Sequence, residues 1–79
     1  MDQYLKNRFS DFDDLSISEL EILKEKALQE ISFYLDKLED KNVSSYQKSE
    51  FRESDLKFER DKLEYIEYLI QEKTKHKHR

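Results

Sequence analysis

The 79-residue chain contains no glycine, no proline and no cysteine. Glycine supplies the positive-φ conformations of tight turns and phosphate-binding loops, and proline ends or kinks helices. A compact sheet or an α/β domain without either residue is improbable, because hairpin turns depend on glycine geometry. These absences exclude Walker loops and dinucleotide-binding loops, and they favour a chain that runs as long helices.

The chain also lacks the marks of several other protein classes. Without cysteine it can form neither a disulfide framework nor a cysteine-ligated metal site. No segment approaches the ~20 consecutive apolar residues of a membrane-spanning helix. We therefore expect a single soluble, cytoplasmic domain with no cofactor and no membrane partner.

Charge dominates what is present. Charged residues make up 43% of the chain, yet the net charge is only −4, since 15 basic residues nearly balance 19 acidic ones. The aromatic content of 13% is not typical of disordered chains. Below ~70–80 residues a core supplies only about 3–5 kcal/mol, and small proteins depend on disulfides, metals or association. Of these, association is the one that this composition favours.

The clearest helix start lies at Ser16. Ser16 and Glu19 have the spacing of a capping box, in which each side chain accepts the other residue's backbone N–H. From Leu20 to Leu38, apolar residues recur at intervals of three and four, except that Lys24 takes one position of the stripe. This stripe predicts a helix over about 16–41.

A turn at about 42–48 and a second helix over about 49–74 complete the pattern. The seam predicted for the second helix, spaced by four and three, is Arg52, Leu56, Glu59, Leu63, Ile66 and Ile70. Asn42 can adopt the left-handed conformation that often ends a helix, and Ser44 with Gln47 offers another capping box. One unbroken helix is the alternative, because this stretch contains weak helix formers but no breaker. Two helices of equal length joined by a short turn predict an all-α antiparallel helical hairpin.

A short arm precedes the hairpin. Leu5, Phe9 and Phe12 are spaced i, i+4, i+7, which predicts a short helix over about 2–9. Such a helix is too short to be stable alone, so it forms only by packing on the hairpin. The predicted organisation is an N-terminal arm at 1–15, a hairpin at 16–75 and a basic tail at 76–79.

Each predicted long helix carries apolar residues that the other cannot cover. Phe51, Phe58 and Tyr65, which we call the aromatic row, repeat every seven residues and lie over ~100° from the seam of their helix. A continuous aromatic row that faces water marks an interface. The residues predicted for this interface are Ile22, Phe33, Phe51, Phe58, Tyr65 and Leu69.

Three occupants can cover the aromatic row. A second copy would give a homodimer, as a four-helix bundle or coiled-coil-like assembly; a different protein or the chain's own arm are the alternatives. We expect the homodimer, and we expect Phe58→Asp to dissociate or unfold it.

The C-terminal tail has its own charge signature. Residues 71–79 hold four basic residues and one acidic residue, which leaves −7 on the rest of the chain. Cations at a helix C-terminus complement the helix dipole, and this explains part of the pattern. The more specific functional interpretation is that the C-terminal tail forms a short basic segment that binds phosphates. Its possible phosphate contacts are Lys73, Lys75, Lys77 and Arg79.

No pattern in the sequence indicates catalysis. The many carboxylates fall mostly on polar helix faces, where they are in contact with water and lack the shielded environment that acid–base catalysis requires. We predict a non-enzymatic protein–protein interaction or regulatory module that acts through amphipathic helix faces. Two alternatives stay open: a nucleic-acid-associated regulator that uses basic C-terminal arms, and an acidic inhibitor of a basic partner protein.

Overall fold

The computed structural model describes the backbone of residues 1–77 and the side chains of residues 1–75. Within that range the fold is all-α, as predicted, with no strand. Its elements are α1 (Gln3–Arg8), a 3₁₀ turn (Ser10–Phe12), α2 (Ile17–Glu39), α3 (Ser45–Glu50), a π-helical turn (Phe51–Asp55) and α4 (Leu56–Lys77). None of the helices in the described part is long and apolar enough to cross a membrane.

The start of α2 confirms the predicted capping box. The Ser16 hydroxyl accepts the backbone N–H of Glu19 at 3.1 Å, and the Glu19 carboxylate accepts that of Ser16 at 3.0 Å. The hydrogen bond from the Ser16 backbone, and then that from its side chain, lower the pKa of Glu19. Two of the N–H groups that a helix start leaves without a partner are thereby satisfied.

The end of α2 differs from the prediction. No residue from 1 to 77 has a positive φ, so the left-handed conformation predicted for Asn42 is wrong. Asp40 instead leaves the helix in an extended conformation, with φ −75° and ψ 124°, and its carboxylate accepts the N–H of Asn42 at 2.8 Å. An aspartate side chain that bonds the backbone two residues on makes a turn without any left-handed residue.

The second half of the hairpin contains a π-helical turn that the sequence does not predict. Ser44 caps its start by accepting the N–H of Gln47 at 3.1 Å. Within the π-helical turn, the N–H of Leu56 donates to the carbonyl of Phe51. Such a turn holds one residue more than an α-helical turn. This extra residue rotates Phe51 by about 100° from the position that it would have in a regular α-helix.

The seam between α2 and α4 is largely apolar. Leu20 and Ala27 of α2, and Leu56 and Ile66 of α4, are all buried. Glu59 lies among them, and its carboxylate is 2.7 Å from the ammonium of Lys62. The two helices therefore pack along the stripes that the sequence predicts, and the hairpin is confirmed.

The N-terminal arm packs on one face of this hairpin. Leu5 and Phe9 are buried in one cluster with Tyr65 and Leu69 of α4. The Phe9 ring lies 6.2 Å from the Tyr65 ring and 5.7 Å from that of Phe58. The predicted short helix thus forms on the hairpin, as α1, and adds a third layer to the core.

Candidate functional site

The hairpin has two broad faces, and the arm covers one of them. Leu23 of α2 and Tyr65 and Leu69 of α4 lie on the arm's side, and all three belong to or pack against the cluster around Phe9. Viewed along each helix from its N-terminus, all three residues lie anticlockwise of the seam of their own helix. Because the two right-handed helices are antiparallel, the residues that lie clockwise of either seam are on the opposite face.

That opposite face, which we call the open face, carries a second apolar strip. Leu28 and Leu35 are each 41% exposed, although both flank the buried seam of α2. Ile17 of α2 and Leu63 of α4 are half-buried on the same side. Ile70 of α4 is also half-buried and lies at the edge of this strip, where it contacts the main core cluster. From Ile17 to Leu35 the strip is about 27 Å long, at ~1.5 Å per residue.

Carboxylates border the open face along both helices, and we call them the acidic rim. All of them are exposed. Among the side chains of residues 1–75, no lysine or arginine nitrogen lies within 4.0 Å of a rim carboxylate. The cations nearby are Lys24, half-buried within the strip, and the exposed Arg60 on α4. The rim consists of Glu21, Glu25, Asp36 and Glu39 on α2, and Glu64 and Glu67 on α4.

Two of the residues predicted for a partner interface lie in the internal core instead. Tyr65 is 2% exposed and Leu69 is 8% exposed, so the expectation that they face water is wrong. Leu5 and Phe9 of the arm occupy the space that a partner was expected to fill. A contact of Tyr65 or Leu69 with another molecule therefore requires the arm to leave.

The other members of the aromatic row are partly covered. The Phe58 ring carries the Arg8 guanidinium 4.7 Å above its centre and the Lys62 ammonium at 5.2 Å. The half-buried Phe51 packs against Tyr34 of α2, with ring centres 5.5 Å apart. The π-helical turn thus moves Phe51 out of the aromatic row and onto the other helix.

Ile22 and Phe33 are exposed, at 58% and 51%, on the back of α2. Ile22 lines a shallow apolar depression of about 190 Å³ together with Leu15, Glu19 and Leu23. Sites for small molecules typically measure ~300–1,000 Å³. Phe33 lies about 16 Å further along the helix, at ~1.5 Å per residue. The structure does not bring these two residues together, and their interface role stays a prediction.

The predicted phosphate contacts lie at the far end of α4. The Lys73 ammonium donates to the backbone carbonyl of Asp13 at 2.8 Å, which ties α4 to the arm. Lys75 is 3.6 Å from the carboxylate of Glu72. Arg79 and the side chain of Lys77 lie outside the described residues. Lys73 therefore has a structural partner within the chain, and the phosphate role of these residues stays a prediction.

Asp13 makes a second contact with α4 through Tyr65. The Tyr65 hydroxyl donates to the Asp13 carboxylate, a contact between residues far apart in the chain. Burial, first, and this hydrogen bond, second, raise the pKa of Tyr65 to about 12. Together with Lys73, Tyr65 fixes the end of the arm on the hairpin.

The polar groups of the seam do not converge on a reacting centre. Glu59 is buried, and one of its oxygens makes no hydrogen bond of good geometry despite the nearby Lys62. Burial, and then the negative charges of Asp55, Glu30 and Glu59, raise the pKa of Tyr34. Among the residues that the structure describes, no three histidine, aspartate or glutamate side chains gather closely enough to hold a metal ion.

Leu28 and Leu35 are the candidate residues that the sequence alone does not single out. Both flank the apolar stripe of α2, and by spacing alone they widen its buried face. Their exposure becomes evident only when the arm is seen to pack on the other side. The available signal was the position of Leu5 and Phe9, but sequence spacing does not say which face those residues cover.

Comparison with protein-family models, with curated proteins and with solved structures found no match for this chain. The surfaces described above are the basis on which a function is inferred.

Proposed function

We propose that this protein is a non-enzymatic protein–protein interaction module that binds a helix of its partner along the open face. The observation that carries the proposal is the exposure of Leu28 and Leu35 beside an otherwise buried seam. Burial of a leucine side chain stabilises a complex by up to about 1.5–3 kcal/mol, in proportion to the apolar area removed from water. A contiguous apolar strip with a polar border is typical of interaction sites.

The geometry of the open face supports a helical ligand. Leu28 and Leu35 on α2, and Leu63 and Ile70 on α4, are each seven residues apart, so they form two ridges along neighbouring helices. Packed helices lie ~8–10 Å apart, which leaves a groove between the ridges. An amphipathic helix places residues at i, i+3, i+4 and i+7 into such a groove.

A homodimer, the assembly predicted from the sequence, is one form of this function. The covered Tyr65 removes the aromatic row as its main support. A second copy would instead have to join the open faces, where both copies present carboxylates. We therefore favour a different protein as the partner.

Binding of a model helix tests the proposal. The probe is an 18-residue amphipathic peptide with a leucine stripe and glutamines elsewhere, titrated into the whole chain by calorimetry. We expect Leu28→Ser/Leu35→Ser to weaken binding at least ~10-fold, because both side chains lose their buried apolar area. The control is Tyr46→Ser, which removes an aromatic side chain that is exposed in α3.

Two results would contradict the proposed function. One is equal binding of the peptide by the unmodified chain and by Leu28→Ser/Leu35→Ser. The other is loss of binding in Ile22→Ser/Phe33→Ser with full binding in the leucine variant, which would assign the site to the back of α2. Circular dichroism of each variant shows that its helix content is intact.

A further inference from the structure

We infer that the partner segment is a basic amphipathic helix, with lysine or arginine on both sides of its apolar stripe. This inference rests on the proposed function, since it names the chemistry of the ligand that the open face accepts. Its basis is the acidic rim, which borders the apolar strip on both helices.

The rim lies where the flanks of a bound helix would lie. At ~100° per residue, Glu21 and Glu39 lie directly beyond Leu28 on the outer side of α2. Glu25 and Asp36 lie further round, towards the back of the helix.

Glu67 takes the equivalent position on α4, with the exposed Arg60 beside it and Glu64 further round. A helix in the groove therefore has carboxylates on its left and on its right. Cations at those two positions would be attracted along the whole contact, and anions would be repelled.

The same charges disfavour a second copy of the chain. In a twofold pair joined through the open faces, α2 meets either the partner's α2 or the partner's α4. The outer side of α2 carries four rim carboxylates and no cation, and that of α4 carries two carboxylates and Arg60. Contact between the two α2 helices brings like charges together, and contact between α2 and α4 sets four carboxylates against two carboxylates and one cation. Net repulsion in both cases weakens association and selects against self-pairing.

The length of the strip sets the length of the ligand. The distance of about 27 Å between Ile17 and Leu35 matches an 18-residue helix at ~1.5 Å per residue. Lys24 lies within the strip and is half-buried, so its stem can cover apolar surface while its ammonium reaches water. Lys24 and Arg60 together reduce the negative charge of the face but do not reverse it, since the rim carries six carboxylates.

Three peptides that differ only in their flanks test the inference. All have the leucine stripe of the neutral probe, and their flanking positions carry lysine and arginine, glutamine, or glutamate. At low salt we expect the basic peptide to bind at least ~10-fold more tightly than the neutral one, and the acidic peptide to bind most weakly. At about 0.5 M salt the basic and neutral peptides should bind alike, because ions screen exposed charges within a few ångströms.

Charge reversal on the rim locates the effect. We expect Glu21→Lys/Glu39→Lys to reduce the preference for the basic peptide at least ~5-fold, since it reverses the two exposed α2 charges that lie next to the apolar strip. The matched control, Glu50→Lys/Glu53→Lys, changes the net charge by the same amount at exposed positions, one in α3 and one in the π-helical turn. We expect the control to retain most of the preference.

Three outcomes would overturn the inference, and they separate it from the proposed function. If the neutral and basic peptides bind equally and both depend on Leu28 and Leu35, the charge inference is wrong and the proposed function stands. If no peptide binds in a leucine-dependent manner, both are wrong. If the chain alone has a two-chain mass that Leu28→Ser/Leu35→Ser reduces to one, the occupant is a second copy.

Discussion

Asp13 is the residue at which the arm and the hairpin are fastened together. Its carboxylate accepts the Tyr65 hydroxyl, and its backbone carbonyl accepts the Lys73 ammonium at 2.8 Å. These contacts join residues more than 50 positions apart in the chain. They hold Phe9 over Tyr65, which keeps the Tyr65 ring out of water.

Removal of one hydroxyl measures the strength of this fastening. We expect Tyr65→Phe to lower the free energy of unfolding by about 0.5–1.5 kcal/mol, the net value of a typical hydrogen bond. Urea denaturation at neutral pH measures the change. Tyr46→Phe, at an exposed position in α3, is the control and should be neutral. Equal stability of all three proteins would show that the bond to Asp13 contributes nothing.

The pH dependence of stability tests the burial of the Tyr65 hydroxyl and its hydrogen bond to Asp13 together. The pKa of Tyr65 is raised to about 12, against 10.0 for an unperturbed tyrosine, so the folded chain holds this proton more tightly than the unfolded chain. The resulting stability is fully present below pH ~10 and is lost as the pH rises towards ~12. The stability difference between the unmodified chain and Tyr65→Phe should therefore shrink over that range. A difference that stays constant would contradict the assignment.

At the scale of elements, the π-helical turn decides which way α3 faces. It rotates Phe51 towards Tyr34, at a ring distance of 5.5 Å, whereas the regular spacing would leave it in the aromatic row. A π-helical turn arises when one residue is added to an α-helix without changing the phase of the helix on either side. Phe51 and Leu56, which are five residues apart, are therefore oriented relative to each other like two residues four apart in a regular α-helix.

Deletion of a single residue tests this account of the turn. Without Ser54, which is exposed, the segment should become a regular α-helix with Phe51 still on Tyr34. We expect a change in unfolding free energy within about 1 kcal/mol, because the buried contacts are retained. Deletion of the exposed Glu64 in α4 should instead cost several kcal/mol, since it rotates one half of the seam out of the core. Equal damage from both deletions would contradict the account.

The elements that the sequence predicts correctly are those with local causes. The cap at Ser16 depends on residues within one turn, and the stripe from Leu20 to Leu38 is visible as spacing alone. The prediction of a left-handed Asn42 is wrong, because the side chain of Asp40 accepts the Asn42 N–H and forms the turn without a left-handed residue. The π-helical turn has no compositional signal, since its residues are ordinary helix formers.

The candidate site was harder to predict because it depends on contacts between distant segments. Helical spacing locates Phe58 and Tyr65 on one side of α4, but it does not say whether the arm or a partner covers them. Once Phe9 is seen on that side, the exposure of Leu28 and Leu35 on the other follows. The sequence therefore predicts that the hairpin has more apolar residues than its two helices can cover, but it does not predict which face stays exposed.

At the scale of the whole molecule, the arm completes a core that the hairpin alone leaves open. The hairpin contributes Leu20, Ile66 and Leu69 to the main cluster, and the arm adds Leu5 and Phe9. A chain of this size has about 3–5 kcal/mol of stability from its core. A segment of 15 residues thus supports the fold of the whole chain.

Truncation of the central arm residue should reveal this dependence. Phe9→Ala leaves a cavity beside Tyr65, and we expect it to cost about 3–5 kcal/mol, which is comparable to the total stability. Thermal unfolding followed by circular dichroism should show a largely unfolded chain at 25 °C. Phe12→Ala, at a half-buried position beside Phe9, should cost clearly less. A cooperative melt of Phe9→Ala close to that of the unmodified chain would mean that the arm is dispensable.

The measurement that tests the central claim most directly is the molar mass in solution, by light scattering over a concentration series, with helix content read on the same samples. The arm covers Tyr65 and Leu69, and the acidic rim disfavours contact between open faces. We therefore predict a helical chain with the single-chain mass of 9.8 kDa at every concentration. A stable two-chain mass would contradict the account and return the open face to self-association.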